Sequence, residues 1–323
     1  MNVGERAIQW LYEKQLQVDD KWSIPVEGGF KWWPGPFAQT VRIADYEVSP
    51  EGEVGYFLSC ETEVLTALRT LDASPDGYLA QYMAAPSMCG PVFDPHKETL
   101  TLSSITLVHE QNDPWMTPLF STACVLQICE ALLLRPLLAD ELSALEAVSA
   151  HPRSGIRKDY DELAPEVETL IIREGRSPVC WSEADFAAAV EEHMQAPSIR
   201  AESNGLEIGI RIPCGQVFSQ SQIIGNDPHP RYGNGLYAIE AYPFPMDSEA
   251  KGLVLALACN SEELTKRSES YGFGSYYYRQ GSLYFSAFYP NAICKPGLLP
   301  TVFFSMANRA YDMSEQLFGG DRG

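Results

Sequence analysis

From Gly274 to Phe318 the chain reads as a tyrosine-rich strand, a tight turn, a second aromatic strand and a long apolar helix. The same order occurs earlier, from Gly90 to Leu134. With a one-residue gap at Lys97 the two stretches fall into register: Phe93 lies over Tyr277, Leu100-Thr-Leu-Ser103 over Leu283-Tyr-Phe-Ser286, and Phe120 over Phe303. The repeated order predicts an internal duplication, two copies of one unit related by an approximate two-fold axis. At 323 residues the chain is long enough for two domains of ordinary size.

The segments before each hairpin extend the parallel. Ile8, Leu11, Tyr12 and Leu16 fall at helical spacing in residues 4–17, and Glu183–Gln195 shows a helix start with Phe186, Ala189 and Val190 on one side. Strands are predicted at Lys21–Val26, Phe30–Trp33, Phe37–Tyr46 and Val54–Cys60, followed by a helical stretch from Glu61 to Leu71. The later counterparts are Ser198–Ala201, Leu206–Ile212, Leu236–Tyr242 and Gly252–Cys259. Cys60-Glu-Thr-Glu-Val-Leu65 aligns with Cys259-Asn-Ser-Glu-Glu-Leu264. The copies differ at residues 72–89, expected as a loop with a turn of helix, and at residues 214–235, expected as a loop insertion. The predicted fold class is therefore α+β, two tandem repeats, each an antiparallel sheet packed by an N-terminal and a long C-terminal helix. The units span 1–135 and 183–323, and a charged connector at 136–182 has helical stretches at Leu137–Ala150 and about Pro165–Arg173.

The helix expected from about Trp115 to Leu134 is apolar almost all round, through Leu119, Phe120, Cys124, Leu126, Ile128 and Leu132, and so must be covered on two sides. Gln127 and Glu130 interrupt its apolar run, which as read is too short to cross a bilayer. The formal net charge of -20 is spread along the chain without an acidic tail. Such a surface repels nucleic acid and anionic membrane. The N-terminus enters an amphipathic helix without a basic region and apolar run, which predicts a cytoplasmic protein. The 8 cysteines are scattered without a CxxC pair, the pattern of buried reduced thiols.

No GxSxG, Walker A, dinucleotide-binding GxGxxG or HExxH pattern occurs, and the 5 histidines are dispersed, so neither catalytic residues nor metal or cofactor ligands are predicted. Gly225–Gly235 is the one polar stretch that gathers a small candidate site, Asp227, His229 and Arg231; its Gly, Pro and Asn content is equally that of a plain surface loop. The aromatic residues point elsewhere. Trp32, Trp33 and Phe37 cluster in the first unit, and in the second Tyr276 and Tyr278 alternate with Tyr277, so both faces of that strand carry apolar mass. One face must meet helices. The other is expected to meet a sister unit, a second chain or a bound peptide, with Tyr276, Tyr278, Trp32, Trp33 and Phe37 as partner-binding residues.

The hairpin Gly274-Ser-Tyr-Tyr-Tyr-Arg-Gln-Gly-Ser-Leu-Tyr-Phe285 followed by Pro300 and its helix, with the Gly90–Cys129 counterpart, resembles the type III secretion chaperone-like fold, the group of CesT-type chaperones and YbjN-like proteins. The resemblance covers both units and not the connector. It implies a non-enzymatic chaperone-like or adaptor protein that binds another polypeptide, as a monomer with an internal pseudo-dimer or as a homodimer. Two other classes stay open: an enzyme or small-ligand binder using the 214–235 loop, and an acidic immunity-type inhibitor of a basic target.

Overall fold

The computed structural model describes residues 1–162, 180–193, 200–214, 217–265, 272–295 and 297–318. The helix expected about Pro165–Arg173 lies outside the described residues. The chain is α+β with two antiparallel sheets. After helix α1 (Val3–Trp10, extended by a wider turn over Leu11–Gln15), the first sheet is built from β1 (Ser23–Val26), β2 (Gly29–Trp32), β3 (Gln39–Val48) and β4 (Val54–Thr66). Then come α2 (Tyr78–Ala84), β5 (Gly90–Asp94), β6 (Thr99–Val108), the long α3 (Asp113–Glu141) and the short β7 (Leu145–Glu146). The second sheet follows α4 (Glu183–His193) and contains β8 (Arg200–Asn204), β9 (Glu207–Cys214), β10 (Val217–His229) and β11 (Gly233–Pro243). It is completed by α5 (Glu249–Thr265), β12 (Ser275–Arg279), β13 (Ser282–Pro290) and α6 (Leu298–Phe318).

Strand order is β1-β2-β3-β4-β6-β5 in the first sheet, with β7 paired to β4, and β8-β9-β10-β11-β13-β12 in the second. Each is a meander of four strands whose fourth member pairs with the second strand of a hairpin. Helices α1 and α3 cover one face of the first sheet, where Leu58, Cys60, Thr62 and Val64 of β4 point inward. Helix α6 covers one face of the second sheet at β9, β10 and β11.

Several expectations require correction. Glu61–Leu71 is not helical, because β4 continues to Thr66: Cys60, Thr62 and Val64 are buried while Glu61 and Glu63 lie on the opposite, half-exposed face, a period-two alternation. Gly252–Cys259 is not a strand but part of the 17-residue α5, whose buried Leu253, Ala256, Leu257, Asn260 and Leu264 recur at helical spacing. The run is apolar on several sides because α5 sits between β12 of one sheet and β5 and β6 of the other. The Cys60–Leu65 and Cys259–Leu264 alignment thus pairs a strand with a helix and carries no homology. Residues 214–235 are no loop insertion: β10 and β11 occupy most of them, in a ladder that includes Ser221 opposite Glu240. That strand was hidden because its inward positions include the small Ser219 and Ser221, while Phe218, Gln220 and Gln222 face out.

Helix α3 is longer than read, 29 residues, and runs unbroken through Pro136 into the segment expected as a separate helix Leu137–Ala150. By length and composition it would span a bilayer, yet 83% of its most apolar window is buried inside the protein. The boundary expected at 135 therefore falls within α3. Residues 145–161 belong with the first sheet: Ala147 N–H donates to Val64 O at 2.9 Å, Ser149 N–H to Pro36 O at 2.8 Å and Asp161 N–H to Pro34 O at 2.8 Å.

The halves interlock. Helix α2 of the first half packs on β12 of the second, and α5 of the second packs on β5 and β6 of the first, where Leu264 closes a cluster with Phe57, Val92 and Ile105. At the centre of this junction Gly90 meets Gly274. A Cβ on Gly90 would stand 3.1 Å from the Gly274 carbonyl oxygen and 2.8 Å from Leu264 Cδ1, so a side chain there would separate the halves.

Candidate functional site

The aromatic residues expected to hold a partner are interior. Trp32 and Phe37 are fully buried and Trp33 is 2% exposed. Trp32 Nε1–H donates to Gln39 Oε1 at 2.9 Å, and Gln39 Nε2 donates to Thr62 Oγ1 and Cys124 O, both at 2.8 Å, a polar row beneath α3. Phe37 lies under the Arg135 guanidinium, 4.7 Å from ring centre to Cζ. Trp33 is covered by the segment after α3, edge-on to His151 at 4.8 Å, while Arg157 Nη1 donates to its carbonyl oxygen at 2.8 Å. Tyr276 is 2% exposed. Tyr278 is half-buried beside Gly252, its hydroxyl accepting from Met246 N–H at 2.8 Å and donating to Phe244 O at 3.1 Å. None of the five presents an open aromatic face, so their assignment as partner anchors is withdrawn. Alternation placed Tyr276 and Tyr278 together; it did not reveal that α5 and α6 occupy their side of the sheet.

Tyr276 instead belongs to a buried charge cluster. Arg309 of α6 donates to Glu240 Oε1 at 2.6 Å, and its Nε and Nη2 reach Glu263 of α5 at 3.0–3.1 and 2.9 Å. Tyr276 Oη–H donates to Glu263 Oε2 at 2.7 Å, Tyr242 Oη–H donates to Glu240, and the guanidinium stacks on Phe285, 3.5 Å from its ring centre. Two carboxyls share one guanidinium in a dry interior. Burial pushes the Glu240 carboxyl up to about 7.

The residues of the predicted polar site lie at the end of β10 and in the turn that follows it. His229 is half-buried at the end of β10. Its Nδ1 accepts from Arg231 and Tyr232 N–H at 3.0 and 3.1 Å, which leaves Nε2–H to donate to Pro86 O of the first half at 3.1 Å. Burial lowers its pKa, so the ring is the neutral imidazole. It stacks on Tyr232 with centroids 4.7 Å apart. Asp227 lies in the β10–β11 ladder opposite Gly235, and Arg231 packs its guanidinium over Tyr232 at 5.4 Å. Asp227 and Arg231 both act on the charge of His229, and the His229 ring is turned into the junction.

There it adjoins a group that the sequence did not reveal. Glu130, buried on apolar α3, accepts hydrogen bonds from Tyr82 Oη at 2.6 Å, Ser87 Oγ at 3.0 Å, Cys89 Sγ at 3.1 Å and Tyr232 Oη at 2.7 Å. Phe288 N–H donates across the junction to Ser87 O at 3.2 Å. The two segments that distinguish the halves, 72–89 and the turn after β10, thus meet each other. The only signal in the sequence was a glutamate in the middle of an apolar helix. Burial pushes the hydroxyls of Tyr82 and Tyr232 and the thiol of Cys89 well up, so the cluster holds its protons and braces the halves.

Outside this brace the halves part to leave an open cleft of about 500 Å³. The first half lines it with Phe57, Leu107, His109, Trp115 and Met116, and α6 of the second with Pro300, Thr301, Phe304 and Asn308. Trp115 Nε1–H donates to Thr301 Oγ1 at 3.1 Å and closes its floor. Phe304 is 50% exposed, and His109 Nδ1 is enclosed without a hydrogen-bond partner among the described residues. Clefts between packed units are where ligands and peptides most often seat. Comparison of the chain with protein-family models, with curated proteins and with solved structures finds no match.

Proposed function

We propose that this chain is a non-enzymatic, cytoplasmic chaperone-like or adaptor protein, an internal duplication of one α+β unit that acts as a pseudo-dimer and seats another polypeptide between its halves. The duplication reading is supported by the common strand order, by the helices that precede and close each sheet, and by the contact of Gly90 with Gly274, the residues at which the two similar stretches begin. The observation that carries the function is the junction cleft, whose apolar floor of Trp115, Phe57 and Met116 and half-exposed Phe304 wall match a side-chain anchor of a partner. Burial raises the thiols of Cys60, Cys89, Cys259 and Cys294, which supports packing over nucleophilic roles for these four; Cys180 is exposed.

The test is affinity capture from the source cell, identification of the bound polypeptide by mass spectrometry, and titration with that polypeptide purified. Phe304→Glu is expected to weaken the measured affinity by about 2 kcal/mol, the scale of a hot-spot truncation, with an unchanged circular dichroism spectrum. Unaltered affinity would remove the cleft from the reading. A turnover assay showing chemistry on a small substrate would remove the non-enzymatic part.

A further inference from the structure

Along β8, β9 and β10 the second sheet has an exposed outer side, and on this strongly acidic molecule it sets two arginines directly beside each other, with Glu202 and Glu207 on the same face. Pairing sets Arg200 of β8 directly across from Arg211 of β9, and Arg211 across from Gln220 of β10. Their chain neighbours Ala201, Ile210 and Ser221 are buried, so by alternation the arginines and Gln220 stand on the outer side, where all three are exposed. The next rung carries Glu202, Gly209 and Gln222, with Ile239 of β11 beyond. A Cβ on Gly209 would meet nothing among the described residues, and the missing side chain leaves a hollow of about 280 Å³ floored by strand backbone.

Like charges directly opposite on adjacent strands destabilise a sheet. Acid is not scarce in a chain with 43 Asp and Glu against 23 Lys and Arg. On the first sheet each outer-face cation has its carboxylate: Lys31 Nζ lies 2.8 Å from Glu63, and Arg42 lies 3.9 Å from Glu61, both acids on β4. The second sheet has the uncharged Ile239 and Ala241 on β11 instead. Among the described residues neither Arg200 nor Arg211 has a carboxylate at ion-pair distance. Glu202 flanks them and has no ion-pair partner among the described residues, and Glu207 accepts from Gln222 Nε2 at 3.0 Å. Beside the arginines the same side offers Phe218, 49% exposed, and the partly exposed Ile239 and Tyr237.

We infer that this open side of the second sheet is a docking site for an acidic, partly apolar polypeptide segment, whose carboxylates take the Arg200 and Arg211 guanidinium forks and whose apolar side chains lie on Ile239 and Phe218. One guanidinium can bind one carboxylate through two parallel N–H···O bonds, and the two exposed arginines, opposite each other on adjacent strands, offer two such forks. The partner is a peptide and not a membrane or nucleic acid, because a net charge of -20 repels a continuous polyanion, while two carboxylates at the spacing of the arginines can pair with them and keep clear of Glu202 and Glu207. The site shares with the proposed function only the class of partner and is separate from the junction cleft.

The experiment uses the full chain and a fluorescein-labelled peptide of alternating glutamate and valine, read by fluorescence anisotropy. Saturable binding is expected, weakened about tenfold or more by the double substitution Arg200→Glu, Arg211→Glu. It should be absent for the lysine-and-valine counterpart and unchanged by Phe304→Glu, so failure here is distinct from failure of the cleft. Both arginines are exposed, and retention of the wild-type melting temperature verifies that the double variant is folded. Absence of saturable binding, equal affinity in the double variant, or binding through these arginines to phosphoserine peptides or phosphatidylserine vesicles in preference to the glutamate peptide overturns the inference.

Discussion

Buried polar residues carry most of what is particular to this molecule. Glu240 illustrates the consequence for stability. Its carboxyl is held at about 7 against an ordinary 4.5, because burial penalises the anion more than the shared Arg309 relieves it. Between those values the folded chain keeps a proton that the unfolded chain has released. The stabilisation is thus complete below the unfolded value and is lost as pH rises through 7. Urea midpoints at pH 5 and pH 8 should show a decline on the order of 1 to 3 kcal/mol that Glu240→Gln abolishes; parallel declines in parent and variant would sink the assignment. Tyr276→Phe keeps the ring and removes the donor to Glu263, a cost of about 1 to 2 kcal/mol by chemical denaturation, with no effect on partner affinity. An affinity change with stability intact would return Tyr276 to a binding surface. The sequence showed the aromatic character of these residues and not their burial, since Glu263 and Arg309 lie on helices remote in sequence.

At the scale of elements, what was legible followed from period. Strands β3, β6, β12 and β13 and helices α1, α3 and α6 announce themselves through alternation or apolar spacing. Where the buried side was made of small or polar residues, as in β10, or where an element is buried on several sides, as in α5, periodicity lost its power to discriminate. The corrected register leaves the hairpin-and-helix parallel standing on strand order rather than on the cysteine match. Helix α5 then becomes the element that joins the sheets, and its C-terminal Leu264 is its hold on the first one. Leu264→Ala should cost about 2 to 4 kcal/mol as a core truncation and should accelerate amide exchange in β5 and β6 as well as in α5. Exchange confined to α5 would mean that the helix belongs to the second sheet alone.

For the whole molecule the question is whether two sheets make two folding units. Each half places a helix on the other's hairpin, Glu130 draws Tyr82, Ser87 and Cys89 of its own half and Tyr232 of the other into one cluster, and His229 reaches Pro86. An open interface of two independent domains would be larger in polar contact with water and looser in packing. Here the largest apolar cluster runs through both halves without interruption, from Val3 to Met313. Removing Glu130 would leave two tyrosine hydroxyls, a serine and a thiol enclosed without their acceptor, and unmet buried polar groups cost more than their bonds contribute. The intact chain should therefore unfold in one transition by calorimetry, with calorimetric and van't Hoff enthalpies equal. Glu130→Ala should lower stability by about 3 kcal/mol or more and raise exchange at residues 86–89 and 229–232 together. Two resolved transitions in the parent chain, or a Glu130→Ala effect confined to the first half, would show that the halves merely touch, and a ligand seated between them would then find a hinge where the present geometry provides a fixed cleft.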